Sequence, residues 1–141
     1  MKKAAITPDE LLNQLPASTR EDMQALDRAI AEVFGRKQRV VWKGKLWGGT
    51  QQTIIGYGDF RYSRSDKDQV EWFMVGLAAQ KNYISVYINA AEDGRYVVKK
   101  YADRLGKVKV GSSSVSFKKL DDVNLKELLR LVTIAHSQLK K

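Results

Sequence analysis

The sequence predicts an α+β domain, with a single mainly antiparallel sheet of about five or six strands and helices packed mainly on one face. Three observations lead to this fold class. Apolar residues recur at helical spacing near both ends of the chain, they alternate with polar residues in the middle, and the predicted strands are joined by turns too short for parallel pairing. The 141 residues, 43% of them hydrophobic, suffice for one core, so we expect residues 1–141 to form one domain.

Two helices are predicted at the N-terminal end. Thr7 and Glu10 have capping-box spacing and predict a short helix that ends near Leu15. Ser18 is the predicted N-cap of a longer core helix, and Gly35 is its predicted C-terminal cap. The apolar stripe of that helix consists of Met23, Leu26, Ile30, Val33 and Phe34.

The middle of the chain is rich in strand-forming residues. Residues 39–43, 52–62 and 70–79 are predicted strands, and the near-continuous apolar character of the third predicts a central strand covered on both faces. Glycines around Trp47 predict an exposed connection, and residues 63–69 predict a charged turn.

Residues 70–89 form the predicted central hairpin, with a polar turn at residues 80–82. In its second strand, isoleucine and valine alternate with Tyr83, Ser85 and Tyr87. We expect the aliphatic side chains to meet the helices and the tyrosines and serines to lie on the opposite face.

The C-terminal third begins with a predicted helix at residues 95–105, capped by Gly106, with Tyr96 and Tyr101 directed inward. Residues 107–119 return to strand-like alternation, and Ser114 and Ser116 are expected on the face turned away from the helices. Asn124 is the predicted cap of a last helix with a continuous leucine-rich stripe.

The net charge of +9 is concentrated at the C-terminal end, where residues 95–141 hold 12 Lys or Arg against 4 Asp or Glu. Such an excess favours nucleic acid, an anionic ligand or an acidic partner, and it is equally typical of a basic surface that only keeps a protein soluble. The absence of cysteine favours a reducing compartment. No run of ~18 apolar residues is present, so we expect a cytoplasmic protein without a membrane partner.

Three segments together resemble the YdhG-like family of small bacterial domains of unknown function. They are IGYGDFRY at 55–62, VEWFMVGLAAQKNYISVYI at 70–88, and RLGKVKVGSSSVSFKKLDDVNLKELLRL at 104–131. The resemblance implies a compact α+β domain whose fold has been compared with frataxin, and one branch of the family has been proposed to handle iron.

The chain departs from the iron-handling pattern that this resemblance implies. Its positive net charge is opposite to the acidic surface of a frataxin-type iron carrier. Tyr83 stands where some relatives carry histidine, and Ser113 and Ser114 lie where cysteine is frequent in the family. Iron handling is therefore the third-ranked function.

Catalytic and cofactor motifs are absent from the sequence. His136, the single histidine, lies on the predicted last helix beside its apolar stripe, which favours a packing or surface role. No serine lies in a GxSxG motif and the glycines match no nucleotide-binding loop, so no catalytic residue, cofactor or metal site is predicted.

Two groups of residues are candidate binding sites. The segment GKVKVGSSS combines cationic groups with hydroxyls that donate to anion oxygens; its candidates are Lys107, Lys109, Ser112, Ser113 and Ser114. The second group is a set of rings predicted to line a shallow cleft on the sheet face away from the helices; they are Trp42, Trp47, Tyr57, Phe60, Trp72, Tyr83 and Tyr87. Both patterns also occur in hairpins and cores that bind nothing.

The leading functional hypothesis is a non-catalytic binding domain for a small anionic or aromatic ligand or a protein partner. The alternative is nucleic-acid binding through the basic C-terminal third, although no RNP motif, zinc finger or helix-turn-helix signature is present. The oligomeric state and the question of catalysis stay open at this point.

Overall fold

The computed structural model describes residues 2–45, 51–63 and 69–139. Within these ranges the strands are β1 (Lys2–Lys3), β2 (Arg39–Lys45), β3 (Gln51–Ser63), β4 (Gln69–Ala79), β5 (Ile84–Ile88), β6 (Ala91–Glu92), β7 (Arg95–Tyr96), β8 (Lys109–Val110) and β9 (Ser114–Phe117). The helices are α1 (Pro8–Asn13), α2 (Ala17–Phe34), α3 (Val97–Lys100) and α4 (Leu125–Leu139). The predicted connections at Trp47 and at residues 63–69 fall largely on residues 46–50 and 64–68, outside the described ranges.

The described strands form a seven-stranded antiparallel sheet in the order β1-β2-β3-β4-β5-β9-β8 and a separate β6-β7 hairpin. This confirms the predicted α+β class. The strand count exceeds the predicted five or six because the two-residue strands β1 and β8 extend the sheet at its two edges. Strands this short carry almost no periodic signal in the sequence.

Local capping explains three of the helix ends. Thr7 and Glu10 form the predicted capping box at the start of α1, and the Asn124 side chain accepts a hydrogen bond from the Glu127 amide at the start of α4. Gly35 ends α2 with a φ of 93°, a conformation that favours glycine. The predicted cap at Ser18 is wrong, since the N-cap of α2 is Pro16, two residues earlier, and no side chain caps the helix there.

Helices α2 and α4 cover one face of the sheet, as the sequence predicts. The main core lies between them and the sheet and includes Ile84, Val86 and Ile88 of β5, whose side chains are all buried. A smaller apolar cluster lies on the opposite face and consists of Trp42, Ile54, Phe73 and Ala78. The central strand β4 is therefore covered on both faces, as its near-continuous apolar sequence indicates.

In β4, the alternation of side chains between the two faces of the sheet is interrupted where the strand pairs with β3 near Gly58. Gly58 has a φ of 76°. Val75 and Met74 both join the helix-side core, although they are adjacent in β4, and Phe73 lies in the cluster on the opposite face. A Cβ atom at Gly58 would lie 2.7 Å from the Phe34 ring, so helix α2 approaches the backbone there. Of the two alternatives predicted at the β3 glycines, the close approach is observed, whereas the one-to-one pairing on either side of Gly58 shows no bulge.

The predicted helix at residues 95–105 is wrong in its extent. Asp93 and Gly94 have positive φ values and join β6 to β7, so only Val97–Lys100 is α-helical and a 3₁₀ turn follows at Ala102–Arg104. Tyr96, predicted to point inward, is 42% exposed. Adjacent residues with positive φ are typical of tight hairpin turns, and an Asp-Gly pair is a common sequence for them.

Helix α4 packs its buried stripe into the main core. His136 contacts the Phe34 ring edge-to-face at a centroid distance of 5.0 Å, so this histidine packs against helix α2. None of the helices in the described ranges is long and apolar enough to cross a membrane.

Candidate functional site

A groove of about 490 Å³ lies at the edge of the sheet that ends with β8. The β4–β5 turn borders it on one side and the β8–β9 hairpin on the other. Its lining residues are Asn82, Tyr83, Lys109, Val110, Gly111, Ser114, Ser116, Phe117 and Lys118. We refer to this concavity as the edge groove.

Cross-strand pairing explains why hydroxyl groups meet in the edge groove. Ser116 of β9 pairs with Lys109 of β8 on one side and with Ser85 of β5 on the other. The Ser85 and Ser116 Oγ atoms are 3.0 Å apart and form a hydrogen bond. Since directly opposed residues project from the same face, one row of the sheet carries Lys109, Ser116 and Ser85 next to each other.

Tyr83 enters the groove from the β4–β5 turn. Its carbonyl accepts a hydrogen bond from the Gln80 amide at 2.8 Å, which closes the turn. Ile84 pairs with Phe117, so extension of that register by one residue places Tyr83 opposite Lys118. The Tyr83 side chain is 46% exposed, an unusual amount for a large ring in this molecule.

The charged side chains among the described residues that line the edge groove are both lysines. No carboxylate is among the described residues that line it, and neither Lys109 nor Lys118 forms an ion pair with a described residue. Lys100 provides a contrast, because it pairs with Glu92 at 3.2 Å and with Asp93 at 2.9 Å. Its described lining therefore offers cationic donors without a carboxylate that competes for them.

The predicted lysine–serine segment contributes to the groove only in part. Lys109 and Ser114 line it, together with Gly111. Ser112 is exposed outside the lining, and Lys107 precedes β8, where its amide donates to the Asp122 carbonyl. Ser113 is buried and its carbonyl accepts a hydrogen bond from the Ile88 amide, so its role in the fold is structural.

The predicted aromatic cleft is a packed cluster over most of its area. Trp42 is only 3% exposed, and Trp72 stacks on Phe73 with a centroid distance of 4.6 Å. Tyr87 packs at the border of this cluster, and burial raises the pKa of its hydroxyl above the ordinary value of 10. Trp47 and the Phe60 side chain lie outside what the structure describes.

Trp42 carries an unusual buried donor. Its indole Nε1 has no hydrogen-bond partner in the described part of the chain. The indole lies directly over Gly56, where a Cβ atom would be only 2.6 Å from Nε1. The ring thus fills the space that a side chain at position 56 would occupy.

Tyr57 lies on the opposite face from the predicted cleft, so its assignment to that cleft is wrong. It is buried in the helix-side core and its hydroxyl donates to Asp27 Oδ1 at 2.6 Å. Arg39 binds the other oxygen of the same carboxylate at 2.7 Å. Burial, reinforced by the Asp27 charge, raises the pKa of the Tyr57 hydroxyl well above its ordinary value of 10.

Six of the nine lining residues were not among the site residues selected from the sequence, and two of these six carry donor groups in the rows of the sheet described above. Ser116 and Lys118 both line the groove. The signal for them was the period-two alternation of β9, which places Ser114, Ser116 and Lys118 on one face. They lie near Tyr83 because β5 pairs with β9, and 25 residues separate these two strands in the sequence.

A search of the described residues for three or more His, Asp or Glu side chains able to hold a metal ion found none. Comparisons of the chain with protein-family models, curated proteins and solved structures gave no match. Membership of the YdhG-like family therefore stays a prediction, and the case for function depends on the geometry of the edge groove.

Proposed function

We propose that this protein is a binding domain that takes a small anionic ligand in the edge groove. The single observation that carries the proposal is the pair Lys109 and Lys118, which flank hydroxyl groups in a concavity without a lining carboxylate among the described residues. Ammonium and hydroxyl groups are hydrogen-bond donors toward carboxylate and phosphate oxygens. The groove volume of about 490 Å³ is within the range typical of small-molecule sites, which favours a small ligand over a protein partner.

Nucleic-acid binding has less support from the contacts. Base stacking needs several exposed rings, and of the candidate rings Tyr83 is exposed whereas Trp42 and Tyr57 are buried. Part of the C-terminal basic charge is also paired, since Arg130 binds Glu127 at 2.7 Å and Lys100 binds Glu92 and Asp93. Iron handling has no supporting cluster of ligands among the described residues.

Ligand-induced stabilisation tests the proposal, because a ligand that binds only the folded state raises the melting temperature. Sulfate, phosphate and benzoate are added separately to the wild-type chain and to the double variant Lys109→Ala/Lys118→Ala. We expect stabilisation of the wild type that increases with anion concentration, and loss of most of it in the double variant. Chloride at equal ionic strength corrects for screening.

The matched control is Lys99→Ala/Lys126→Ala. Both lysines are exposed, lie outside the edge groove and form no ion pair with a described residue, and the change in net charge is the same. The control should keep the wild-type response. Equal losses in the two double variants would show a general charge effect and would contradict a site in the groove.

A further inference from the structure

The edge groove has two chemically different parts. Ser116, Lys109 and Lys118 form a donor-rich part, whereas Tyr83 supplies ring surface. We infer that the ligand is a small aromatic molecule bearing an oxyanion group, with the oxyanion at Ser116 between the two lysines and the ring against Tyr83. This inference rests on the proposed function and specifies the class of ligand.

The position of the oxyanion follows from the register of the strands. Lys109 is directly opposite Ser116, so their Cβ atoms are about 5 Å apart. Lys118 follows the end of β9, two residues after Ser116, so the backbone distance between them is at most roughly 7 Å. Lysine stems are flexible and long enough to bring both ammonium groups to an anion held at the Ser116 hydroxyl.

The Ser85–Ser116 pair prepares a donor for this anion. Ser85 is 3% exposed, and its hydroxyl bonds to the Ser116 hydroxyl at 3.0 Å. Either hydroxyl is able to donate in this contact. When Ser85 donates, the Ser116 oxygen accepts that hydrogen bond, and the Ser116 hydroxyl proton stays available to donate to a ligand oxygen. An anion in the groove favours this arrangement.

The size of the groove and the exposure of Tyr83 indicate that the ligand carries a ring. An isolated carboxylate or phosphate occupies a small part of a groove of about 490 Å³. Tyr83 is 46% exposed and lines the groove together with Lys118, which lies two residues from Ser116 in the sequence. Offset or edge-to-face contact with a second ring adds to the affinity beyond the area buried.

Titrations followed by NMR or calorimetry test the ligand class with chemically matched probes. Benzoate and cyclohexanecarboxylate have the same head group on an aromatic and a saturated ring, and acetate has the head group alone. On the wild-type chain we expect benzoate to bind roughly two- to tenfold more tightly than cyclohexanecarboxylate, and acetate to bind most weakly. Phenyl phosphate and inorganic phosphate repeat the comparison and identify which oxyanion is preferred.

Ring variants assign the preference to Tyr83. Tyr83→Leu should abolish the preference for benzoate over cyclohexanecarboxylate, whereas Tyr83→Phe should retain it. Tyr96→Leu is the matched control, because Tyr96 is similarly exposed and lies outside the groove. A preference that survives in Tyr83→Leu, or its absence from the wild type, would overturn the inference.

The Ser116→Ala variant tests the oxyanion position. It should weaken benzoate and acetate alike by about tenfold or more, since a hydrogen bond to a charged group is lost. Unchanged acetate affinity in Ser116→Ala would overturn the placement of the oxyanion. Melting temperatures of all variants without ligand establish that each is folded.

Different results overturn the ligand class and the proposed function. If all anions bind equally and Lys109→Ala/Lys118→Ala abolishes their binding, the edge groove is an anion site without ring selectivity, and only the ligand class is overturned. If no probe binds, or if binding does not depend on these lysines, the proposed function is overturned together with the ligand class.

Discussion

Asp27 is the most deeply buried charged group in the described part of the chain, with 2% of its surface exposed. Its carboxylate accepts hydrogen bonds from Tyr57 at 2.6 Å and from Arg39 at 2.7 Å. Arg39 also reaches Asp9 at 3.3 Å. These contacts connect α1 and α2 to β2 and β3. Removal of one partner of a buried charged group lowers the free energy of unfolding by more than the intact pair contributes to it.

Tyr57→Phe tests this network through its dependence on pH. At pH 7 the variant should be less stable by about 1–3 kcal/mol, because Asp27 loses a donor in a buried site. Because folding raises the pKa of Tyr57, the unfolded chain loses the phenol proton near pH 10, at a lower pH than the folded chain does. The contribution of the Tyr57 hydroxyl to the stability of the wild type therefore decreases as the pH rises further. The stability difference should therefore shrink above about pH 10.

Urea denaturation at several pH values from about 7 to about 11 measures this difference on both sides of the ordinary tyrosine pKa. The control is Tyr96→Phe, which alters an exposed tyrosine and should change the free energy of unfolding by no more than about 0.5 kcal/mol. A Tyr57→Phe difference that stays constant to the upper end of this pH range would contradict the proposed coupling to the phenol proton.

The face occupied by Tyr57 was not predictable from the strand pattern. Ile54 and Ile55 are adjacent and both buried, one on each face of β3, so the local sequence has no polar alternation that marks the inner side. In β5 the alternation is clear, and the sequence correctly separates Ile84 and Val86 from Ser85.

At the scale of strands, two glycines allow aromatic rings to lie flat on the sheet. Gly56 and Gly76 pair across β3 and β4. A Cβ atom at Gly76 would be 2.6 Å from Phe73 Cε1 and 2.8 Å from Ile54 Cγ2, which is closer than packed atoms tolerate. The smaller apolar cluster therefore depends on the absence of side chains at these positions.

Gly76→Ala should destabilise the protein by about 1–3 kcal/mol through overpacking against Phe73. Phe73→Leu should also destabilise it, but the double variant should lose less than the sum, because leucine vacates space that the new methyl group needs. Thermal or urea denaturation of the double-mutant cycle measures the coupling energy.

Gly94→Ala supplies the control for that cycle. A Cβ atom at Gly94 would have no neighbouring atom within 4 Å, and the φ of this residue is 78°, so alanine there costs backbone strain alone. Its effect should add to that of Phe73→Leu without coupling. Additive behaviour in the Gly76 cycle as well would contradict the close contact with the ring.

Elements with strong local signals were predictable, and those fixed by distant contacts were not. The capping box at Thr7 and the β4–β5 turn arise from a few adjacent residues. The segment after Gly94 has helical spacing, yet Tyr101 donates to Glu92 at 2.7 Å across the hairpin and packs against the Arg130 guanidinium at 4.3 Å. Such tertiary contacts compete with local propensity for a long helix.

At the scale of the whole molecule, the sequence predicts the layers of the fold better than the site. Period-two and helical spacing determine which side chains form the core, and the α+β class follows from them. The edge groove requires the β4–β5 turn to meet the β8–β9 hairpin, which depends on long-range pairing of β5 with β9. The excess of positive charge in the C-terminal third was visible in the sequence. Which of its lysines form ion pairs was not.

The most direct test of the central claim is a titration of the ¹⁵N-labelled wild-type chain with benzoate, followed through amide chemical shifts. We expect saturable shifts concentrated at Asn82–Tyr83, at Lys109–Ser114 and at Ser116–Lys118, and their loss in Lys109→Ala/Lys118→Ala. Small shifts spread over all lysine-bearing surfaces, or a saturable set centred away from the edge groove, would contradict it.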